Sequence, residues 1–341
     1  MNKLRGAFKS IRLSAARNRA KAPILTMNDR SRPLSSPSLP PRIVVAGAAH
    51  IDRSGWLAAS SALGCSNPGQ FDERPGGTAL NIARNLAALR APVELISLLG
   101  RDAAGDWLQR AIETSGITAH VTGLPDLEGQ TGTYTSIIEP DGELLVAVAD
   151  MAIYEQFAAD AVQHAVGDLQ PTDWLCVDTN LPPEEVARLL NGSAASKAGV
   201  TVSKAKAPRL LAYASQLDVV FTNISEAHAL CGFDGDETKP MTEIAAGLAD
   251  RDIRTVVISN GGQPVTLING GQIMTIEIEP VDQVADVTGA GDALVGAALF
   301  ALTQGQDLPD AVAYGIQAAR TTIRIRGAIC QDLSAQIGSP S

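Results

Sequence analysis

Short apolar runs alternate with segments of helical spacing along most of the chain. The first run, 42–47, is rich in β-branched side chains and ends in glycine, as is typical of a buried strand. Similar runs occur at 93–100, 174–178, 199–202, 218–221 and 255–259. Serial strand–helix units at this spacing predict an α/β fold with a mainly parallel sheet covered by helices.

One region departs from this alternation. Two β-rich runs, 132–139 and 143–148, flank Pro140-Asp141-Gly142, and an Asp-Gly step between such runs indicates a hairpin. An antiparallel hairpin within an alternating chain predicts a small sheet that projects from the main one. We expect this sheet to be built from about 51–75 and 120–149 and to act as a lid.

The composition of the chain ends differs from that of the rest. Residues 1–41 are first basic and rich in Ala and Arg, then rich in Pro and Ser. This pattern indicates a disordered extension, a targeting peptide, or a misassigned start with Met27 as the true first residue. We favour disorder or misassignment. We expect one domain over 42–330 and a tail over 331–341.

Charge is also distributed unevenly. Of 27 basic and 37 acidic residues, nine basic and one acidic lie in residues 1–40, so the remainder carries a formal charge of −18. An acidic body argues against nucleic acid as a partner. No apolar run reaches about 18 residues, so we expect no membrane-spanning helix. Four scattered cysteines without a Cys-x-x-Cys pair favour a reducing, cytoplasmic setting.

A glycine-rich loop near the C-terminal end carries the clearest candidate chemistry. Gly289-Ala290-Gly291 precedes an Ala/Leu-rich run that predicts a buried helix starting near Asp292. Free N–H groups at a helix N-terminus bind anions, and glycine lets the backbone approach them closely. A carboxylate beside an anion site suggests phosphoryl transfer to a hydroxyl. The alternative is an Asp that caps a helix after a glycine turn.

Four further polar landmarks stand in the chain, most of them at predicted strand ends, where α/β sheets bind ligands. They are Asp52, Gly76-Gly77 followed by Asn81, Asn223-x-x-Glu226 and Ser259-x-Gly261. Each has an ordinary structural explanation when taken alone, such as a loop Asp, a glycine turn or a first-turn Glu that complements a helix dipole.

Together the landmarks resemble the ribokinase-like (phosphofructokinase-B type) carbohydrate kinases over about 42–328. The family's C-terminal signature, Asp-x-Thr-Gly-Ala-Gly-Asp, stands complete at 286–292, and its N-terminal Gly-Gly element is present. The resemblance implies a ribokinase-like three-layer αβα sandwich with a mainly parallel central sheet and a small β-sheet lid. It also implies a phosphotransferase that uses ATP and Mg²⁺, whose lid keeps water from receiving the phosphoryl group.

The resemblance also implies roles for particular residues. It makes Asp292 the base for the acceptor hydroxyl, beside Thr288 and an anion hole formed by the amides of Gly289, Ala290 and Gly291. It places the hydroxyls of the substrate at Asp52, Gly76, Gly77 and Asn81. Mg²⁺ and the ATP phosphates are expected near Asn223 and Glu226, largely through water.

The nucleotide site is the part that matches the family least well. Ser259 and Gly261 correspond to a Thr-x-Gly-x-x-Gly element, but Ser replaces Thr and Pro264 stands where the last glycine is expected. The resemblance places an adenine pocket and, in many members, a monovalent cation such as K⁺ around Ala318, Ala319 and Thr322.

Within the family, the element at 75–87 resembles that of pseudouridine kinases more closely than that of ribokinases or fructokinases. The segments 141–150 and 178–181 resemble the same subgroup. The implied reaction is transfer of the γ-phosphoryl group to the 5′-hydroxyl of pseudouridine. Another nucleoside or free-sugar kinase, or an inactive sensor, is the alternative. Thr133 and Thr135 are candidate contacts for the base, and open lid edges predict a homodimer.

Overall fold

The computed structural model describes residues 40–121, 130–233 and 239–340, so the prediction for 1–41 falls almost wholly outside the described residues. In chain order the strands are β1 (Ile43–Ala46), β2 (His50–Leu57), β3 (Gly69–Gly76), β4 (Val93–Ser97), β5 (Thr118–Val121), β6 (Thr133–Ile138), β7 (Leu144–Asp150), β8 (Trp174–Asp178), β9 (Ser196–Val200), β10 (Val219–Asn223), β11 (Thr255–Asn260), β12 (Gln263–Asn269) and β13 (Gln272–Ile276).

Helices connect most of these strands. They are α1 (Thr78–Ala88), α2 (Ala103–Thr114), α3 (Gln163–Val166), α4 (Pro183–Asn191), α5 (Ile224–Cys231), α6 (Met241–Ala249), α7 (Ala290–Thr303), α8 (Leu308–Thr322) and α9 (Leu333–Ile337). Short 3₁₀ turns at Ala152–Gln156, Ala159–Ala161, Ala207–Ala212 and Ala214–Gln216 complete the pattern. No helix among the described residues is long and apolar enough to cross a membrane.

The larger sheet has nine strands in the order β13-β12-β11-β10-β9-β8-β1-β4-β5. The seven strands from β11 to β5 are parallel, and only β12 and β13 are antiparallel, at one edge. The prediction of a mainly parallel sheet is confirmed. Since parallel strands all end at the same edge, the polar residues that follow β1, β8, β10 and β11 are brought to one rim.

Strand β1 shows why the sheet has helices on both faces. Its four residues are fully buried and apolar, as expected of a strand without a solvent face. Ile43 and Val45 pack into a core with α1, α2, α7 and α8, whereas Val44 and Ala46 pack into a second core with α4, α5 and α6. The sheet therefore separates two apolar cores, which confirms the predicted ribokinase-like three-layer αβα architecture.

A second, four-stranded sheet has the order β3-β2-β6-β7. The hairpin β6–β7 is antiparallel, as predicted, but β2 and β6 run parallel to each other. One boundary of the prediction was wrong: the end of β5 overlaps the start of the segment 120–149, but β5 pairs with β4 in the large sheet. The small sheet thus comprises 50–57, 69–76, 133–138 and 144–150.

The C-terminal segment is also more structured than the sequence suggested. A tail was predicted over 331–341, but α9 lies within it and Leu333 is fully buried. Leu333 packs in a small apolar cluster with Leu89, Tyr314 and Cys330, and Tyr314 donates a hydrogen bond to the carbonyl of Gly338 at 2.7 Å. The folded domain therefore extends beyond residue 330.

Candidate active site

The glycine-rich loop is organised by its first carboxylate. Asp286 accepts hydrogen bonds from the amides of Thr288 at 2.9 Å and Gly327 at 3.0 Å. Burial raises the pKa of Asp286, but these hydrogen bonds and the nearby charge of Arg74 outweigh it, so the net pKa is lowered. An ionised Asp286 therefore fixes the loop that leads to Gly289.

Gly289 is the N-cap of α7 and has a left-handed backbone with φ of 76°. A Cβ there would lie 2.4 Å from the Cβ of Ala328, so both the backbone and the packing require glycine. This turn makes α7 begin at Ala290, with Asp292 in its first turn. The predicted helix start near Asp292 is therefore correct to within two residues.

The amides at the start of α7 differ in their availability. Ala290 donates to the carbonyl of Val287 at 3.3 Å, and Ala293 donates to that of Gly289 at 2.8 Å. The amides of Gly291 and Asp292 have no backbone partner among the described residues, and a Cβ on Gly291 would meet open space. The amide of Gly289 likewise has no backbone partner there, so of the three predicted amides only that of Ala290 is already used, and the Asp292 amide is a further free donor at this helix end.

Asp292 lies against Asn81, whose Nδ2 donates to Asp292 Oδ2 at 2.9 Å. Burial raises the pKa of Asp292 to about 7; the negative charges of Asp178 and Asp52 add to the effect, while Asn81 and His50 oppose it. A carboxylate with a pKa near neutrality is suited to accept a proton at physiological pH.

The predicted substrate residues lie in the same place. A Cβ on Gly76 would come within 2.1 Å of Asp52 Oδ2, and one on Gly77 within 2.3 Å of the carbonyl of Ala48. Gly77 also has φ of 103°, which L side chains rarely adopt. The structure therefore brings Asp52, both glycines and Asn81 together beside Asp292. Their role in binding the hydroxyls of a substrate stays a prediction.

Two further residues near this group, His50 and Asp178, were given no role from the sequence. His50 Nδ1 lies 3.1 Å from Asp52 Oδ1. Asp178, at the end of β8, is 1% exposed and accepts hydrogen bonds from the amides of Ala48 and Asn180. Burial raises its pKa, although these hydrogen bonds oppose that effect. The rule that polar residues at strand ends form sites applies to Asp178 and would have found it.

Strand register corrects the predicted contacts of the small sheet. Asp52 is paired with Tyr134 on β6 and with Arg74 on β3. Because side chains alternate between the faces of a strand, Thr133 and Thr135 lie on the face opposite to Tyr134. The side chain that shares a face with Asp52 is therefore Tyr134 rather than Thr133 or Thr135. Contact of Thr133 or Thr135 with a base stays a prediction.

The Asn223-x-x-Glu226 pair opens α5, as predicted. Asn223 is the N-cap, and its Oδ1 accepts hydrogen bonds from the Glu226 amide at 2.9 Å and from Ser225 Oγ at 2.8 Å. Glu226 is 7% exposed and accepts a hydrogen bond from Thr201. Since its oxygen is already used, Asn223 offers its Nδ2 to a ligand, which suits a phosphate oxygen better than a metal ion.

Ser259 is the neighbour of Asn223 in the register of β10 and β11, and Gly261 follows in an exposed turn with φ of 55°. Pro264 lies in β12 at the point where pairing with β11 shifts register. Proline lacks an N–H and is tolerated at such a bulge. Proline at 264 is therefore compatible with the strand at this point, although it departs from the Thr-x-Gly-x-x-Gly pattern.

The predicted adenine and monovalent-cation site and the predicted Mg²⁺ site have fewer supporting contacts. Ala318 and Thr322 on α8 are fully buried, and Thr322 Oγ1 has no hydrogen-bond partner within the described part of the chain. In that same part no group of three or more His, Cys, Asp or Glu side chains is arranged to hold a metal ion. Glu226 is therefore a carboxylate outside any such cluster, which fits Mg²⁺ held mainly by nucleotide phosphates and water.

The fold and this site define a phosphotransferase that acts on sugar or nucleoside hydroxyl groups. The chain belongs to the pfkB family of carbohydrate kinases, whose model matches residues 41–334. Pseudouridine kinase of Escherichia coli is 29% identical over 276 residues, covering 80% of this chain and 87% of that protein.

Solved structures agree. A carbohydrate kinase from Agrobacterium tumefaciens superimposes with a TM-score of 0.73 and 30% identity, covering 87% of this chain and 97% of that one. Ribokinase of Arabidopsis thaliana, solved with ribose and ATP, gives a TM-score of 0.72 over 88% of this chain and 99% of that one. At 19% identity, the second likeness shows the fold alone.

Proposed function

We propose that the protein transfers the γ-phosphoryl group of ATP to the 5′-hydroxyl of pseudouridine. The observation that carries the reaction class is the hydrogen bond between Asn81 and Asp292, because it joins the first turn of α1, which follows Gly77, to the start of α7. A hydroxyl held by Asp52 and Asn81 is then placed beside a carboxylate with a pKa of about 7. The choice of pseudouridine rests on the similarity to the kinase of that name.

In this mechanism Asp292 accepts the proton of the attacking hydroxyl. The amides of Gly291 and Asp292, at the positive end of α7, stabilise the charge on the transferred group. Asn81 holds the carboxylate in place and raises its tendency to ionise, whereas burial opposes ionisation. Phosphoryl transfer needs mainly positioning and electrostatic stabilisation, and these residues supply both.

Glu226 and Asn223 are the residues that would hold Mg²⁺ and the ATP phosphates, through water for the metal and through Nδ2 of Asn223 for a phosphate oxygen. When bound, Mg²⁺ neutralises charge on the phosphates. Thr201 hydrogen-bonds Glu226 and lies 2.8 Å from Thr222 Oγ1, so the carboxylate is held rigidly. Ser259 and Gly261 lie beside Asn223 at the same rim and complete the proposed nucleotide site.

A nucleoside differs from a free sugar by its base, and Tyr134 is placed to contact that base. It shares a face of the small sheet with Asp52, which is proposed to bind the ribose hydroxyls. An aromatic ring stacks on the flat face of a base, and this contact does not depend on which hydrogen-bond donors and acceptors the base carries. The small sheet thus serves as a lid that contacts the base and keeps water out.

The test is an assay of ATP consumption with pseudouridine, uridine, adenosine, ribose and fructose. We expect pseudouridine to give the highest kcat/KM. Turnover of a free sugar with no turnover of pseudouridine would retain the kinase and overturn its substrate. No turnover of any hydroxyl acceptor would overturn the proposed reaction.

We further propose that two copies of the chain associate through their small sheets. Strand β7 is an edge strand whose side chains are partly or fully exposed on both faces, although most of them are apolar. Trp56, Phe71 and Val146 are 48%, 65% and 51% exposed, and they line a cavity of about 360 Å³ on this sheet. An apolar edge of this kind favours pairing with a second copy.

A further inference from the structure

A second cavity lies away from the substrate residues. It has a volume of about 220 Å³ and is formed by the second half of α1, the end of α2 and the segment 329–335. Its volume is below that of most drug-sized sites, so it suits a compact ligand rather than a nucleotide. The proposed reaction assigns no role to any residue of its lining, although Arg84 and Ala87 fall within the element 75–87 that resembles pseudouridine kinases.

Two arginines, Arg84 and Arg90, line this cavity. Neither forms an ion pair with an acidic residue in the described part of the chain, and the hydrogen bond of the Arg84 guanidinium within that part goes to the carbonyl of Pro75 at 3.4 Å. Burial lowers the pKa of Arg84 because no counter-charge offsets it. A half-buried guanidinium without an anion is costly, and a bound anion would remove that cost.

The backbone at Arg90 supports the same interpretation. Arg90 has φ of 62° and follows the C-cap of α1, where its amide donates to Ala87 and that of Ala91 donates to Leu86. This is the left-handed position that ends many helices and that glycine or asparagine fills at lower cost. The backbone therefore gives no reason for arginine here, whereas the cavity does.

The remaining polar lining indicates what else the ligand carries. Asp332 is the N-cap of α9 but its carboxylate makes no capping hydrogen bond, and Ser334 and Gln331 lie beside it. A carboxylate that lines the same cavity as two guanidiniums suits a ligand that has both an anionic group and hydroxyls. Phosphate matches paired guanidiniums because it offers several acceptor oxygens in a fork geometry.

We propose that this cavity binds a small phosphate ester that bears hydroxyl groups, with Arg84 and Arg90 on the phosphate and Asp332 on the hydroxyls. The site is linked to the turn Gly76-Gly77 between β3 and α1, here called the substrate loop. Arg84 donates to the carbonyl of Pro75, and the next residue, Gly76, abuts Asp52. A ligand that draws Arg84 toward its phosphate therefore changes the support of that loop. The ligand acts as an effector of hydroxyl-substrate binding.

Binding is tested by calorimetric titration of the full chain with glycerol 3-phosphate, inorganic phosphate and glycerol. We expect the ester to bind most tightly and glycerol not to bind. Arg90→Asn keeps a residue that accepts the left-handed backbone, so it folds, and it weakens ester binding roughly tenfold or more. Arg84→Gln gives a similar loss. Arg254→Asn, at an exposed arginine outside the cavity, is the control and leaves binding unchanged.

Three results would count against the site. Ester binding that survives both Arg90→Asn and Arg84→Gln overturns it, since the ester then binds elsewhere, for example at the start of α7. Absence of ester binding to the parent protein also overturns it. Equal affinity for inorganic phosphate removes the role given to Asp332.

The link to the substrate loop rests on the proposed kinase function and is tested separately. We expect glycerol 3-phosphate to change KM for the hydroxyl substrate while kcat changes little, and we expect Arg90→Asn to abolish this effect. A KM that does not respond to the bound ester overturns the link but leaves the binding site. The titrations do not depend on turnover, so failure of the proposed reaction is recognised independently.

Discussion

Burial and the neighbouring carboxylates disfavour the ionised form of Asp292. Its pKa of about 7 means that the free protein holds it partly protonated near neutral pH. Because a base works only when ionised, we expect kcat/KM to rise with pH and to level off above about pH 7. His50 opposes the upward shift of the Asp292 pKa, so we expect His50→Gln to move this midpoint to higher pH. Profiles of kcat/KM between about pH 5.5 and 8.5 test both statements, and a flat profile contradicts them.

The carboxylate of Asp292 is expected to support activity and to lower the stability of the fold. We expect Asp292→Asn to lose about 10² to 10⁴ in kcat with little change in substrate binding. The substitution also removes a charge that burial disfavours, and the amide it introduces can donate to the buried Oδ1 of Asn81, which has no described partner. The variant is therefore more stable than the parent above neutral pH, by roughly 1 to 3 kcal/mol.

The stability gained by Asp292→Asn depends on pH, and its direction follows from the raised pKa of Asp292. A folded-state pKa raised above the unfolded value makes Asp292 cost stability as pH rises from about 4 to about 7. The advantage of the Asp292→Asn variant grows over that range and is constant above it. Urea unfolding of both proteins at several pH values measures it. Equal stability at about pH 8 would show that Asp292 is not desolvated.

Substitution of Tyr134 tests whether the site takes a nucleoside or a free sugar. We expect Tyr134→Ala to lower kcat/KM for a nucleoside by roughly tenfold to a hundredfold, since stacking on a base contributes about 1–3 kcal/mol. Turnover of any free sugar should change little. Thr135→Ala, the next residue on the opposite face of β6, is the matched control. A larger effect at Thr135 than at Tyr134 would restore the prediction made from the sequence.

At the scale of elements, the turn before α7 is the most constrained part of the site. Gly289→Ala places a Cβ at φ of 76° and 2.4 Å from Ala328. We expect a loss of roughly 2–4 kcal/mol in the free energy of unfolding, from the left-handed backbone and from overpacking. Chemical denaturation measures this loss.

Gly291→Ala is the natural control for that change. Its Cβ meets open space, so stability is unchanged or rises slightly, because Ala favours a helix more than Gly does. Its methyl group occupies the space in front of the free amides and is expected to reduce activity. Gly289→Ala is thus expected to lower stability, whereas Gly291→Ala is expected to lower activity without lowering stability. A stable, fully active Gly291→Ala would contradict the placement of the anion at this helix end.

At the scale of the whole molecule, the small sheet carries the proposed dimer. Val146→Glu puts a charge among Trp56 and Phe71, so we expect a dimer of the parent chain to become a monomer. Met274→Glu changes a residue of similar exposure, 49%, on the edge strand β13 and should leave the assembly intact. Sedimentation of both variants decides the question. A parent chain that sediments as a monomer would overturn the dimer.

The sequence alone was sufficient for the architecture and the reaction class. The alternation of strands and helices leaves a pattern of apolar positions that can be read directly from the sequence. The mainly parallel sheet and the helix after Gly289 were therefore predictable. The roles of Asp292, Asn81 and Asn223 were likewise suggested by contiguous motifs. These motifs are local because a helix N-terminus and its glycine turn are built from neighbouring residues.

Only the tertiary structure decided which distant side chains share a surface. Register places Tyr134 rather than Thr133 or Thr135 beside Asp52, and a shift of one residue in that pairing would reverse the result. The burial that raises the pKa of Asp292, and the convergence of Asp178 on β1, depend on packing between segments more than a hundred residues apart. Sequence determines local backbone preference, whereas desolvation and cross-strand contact exist only once the elements pack together.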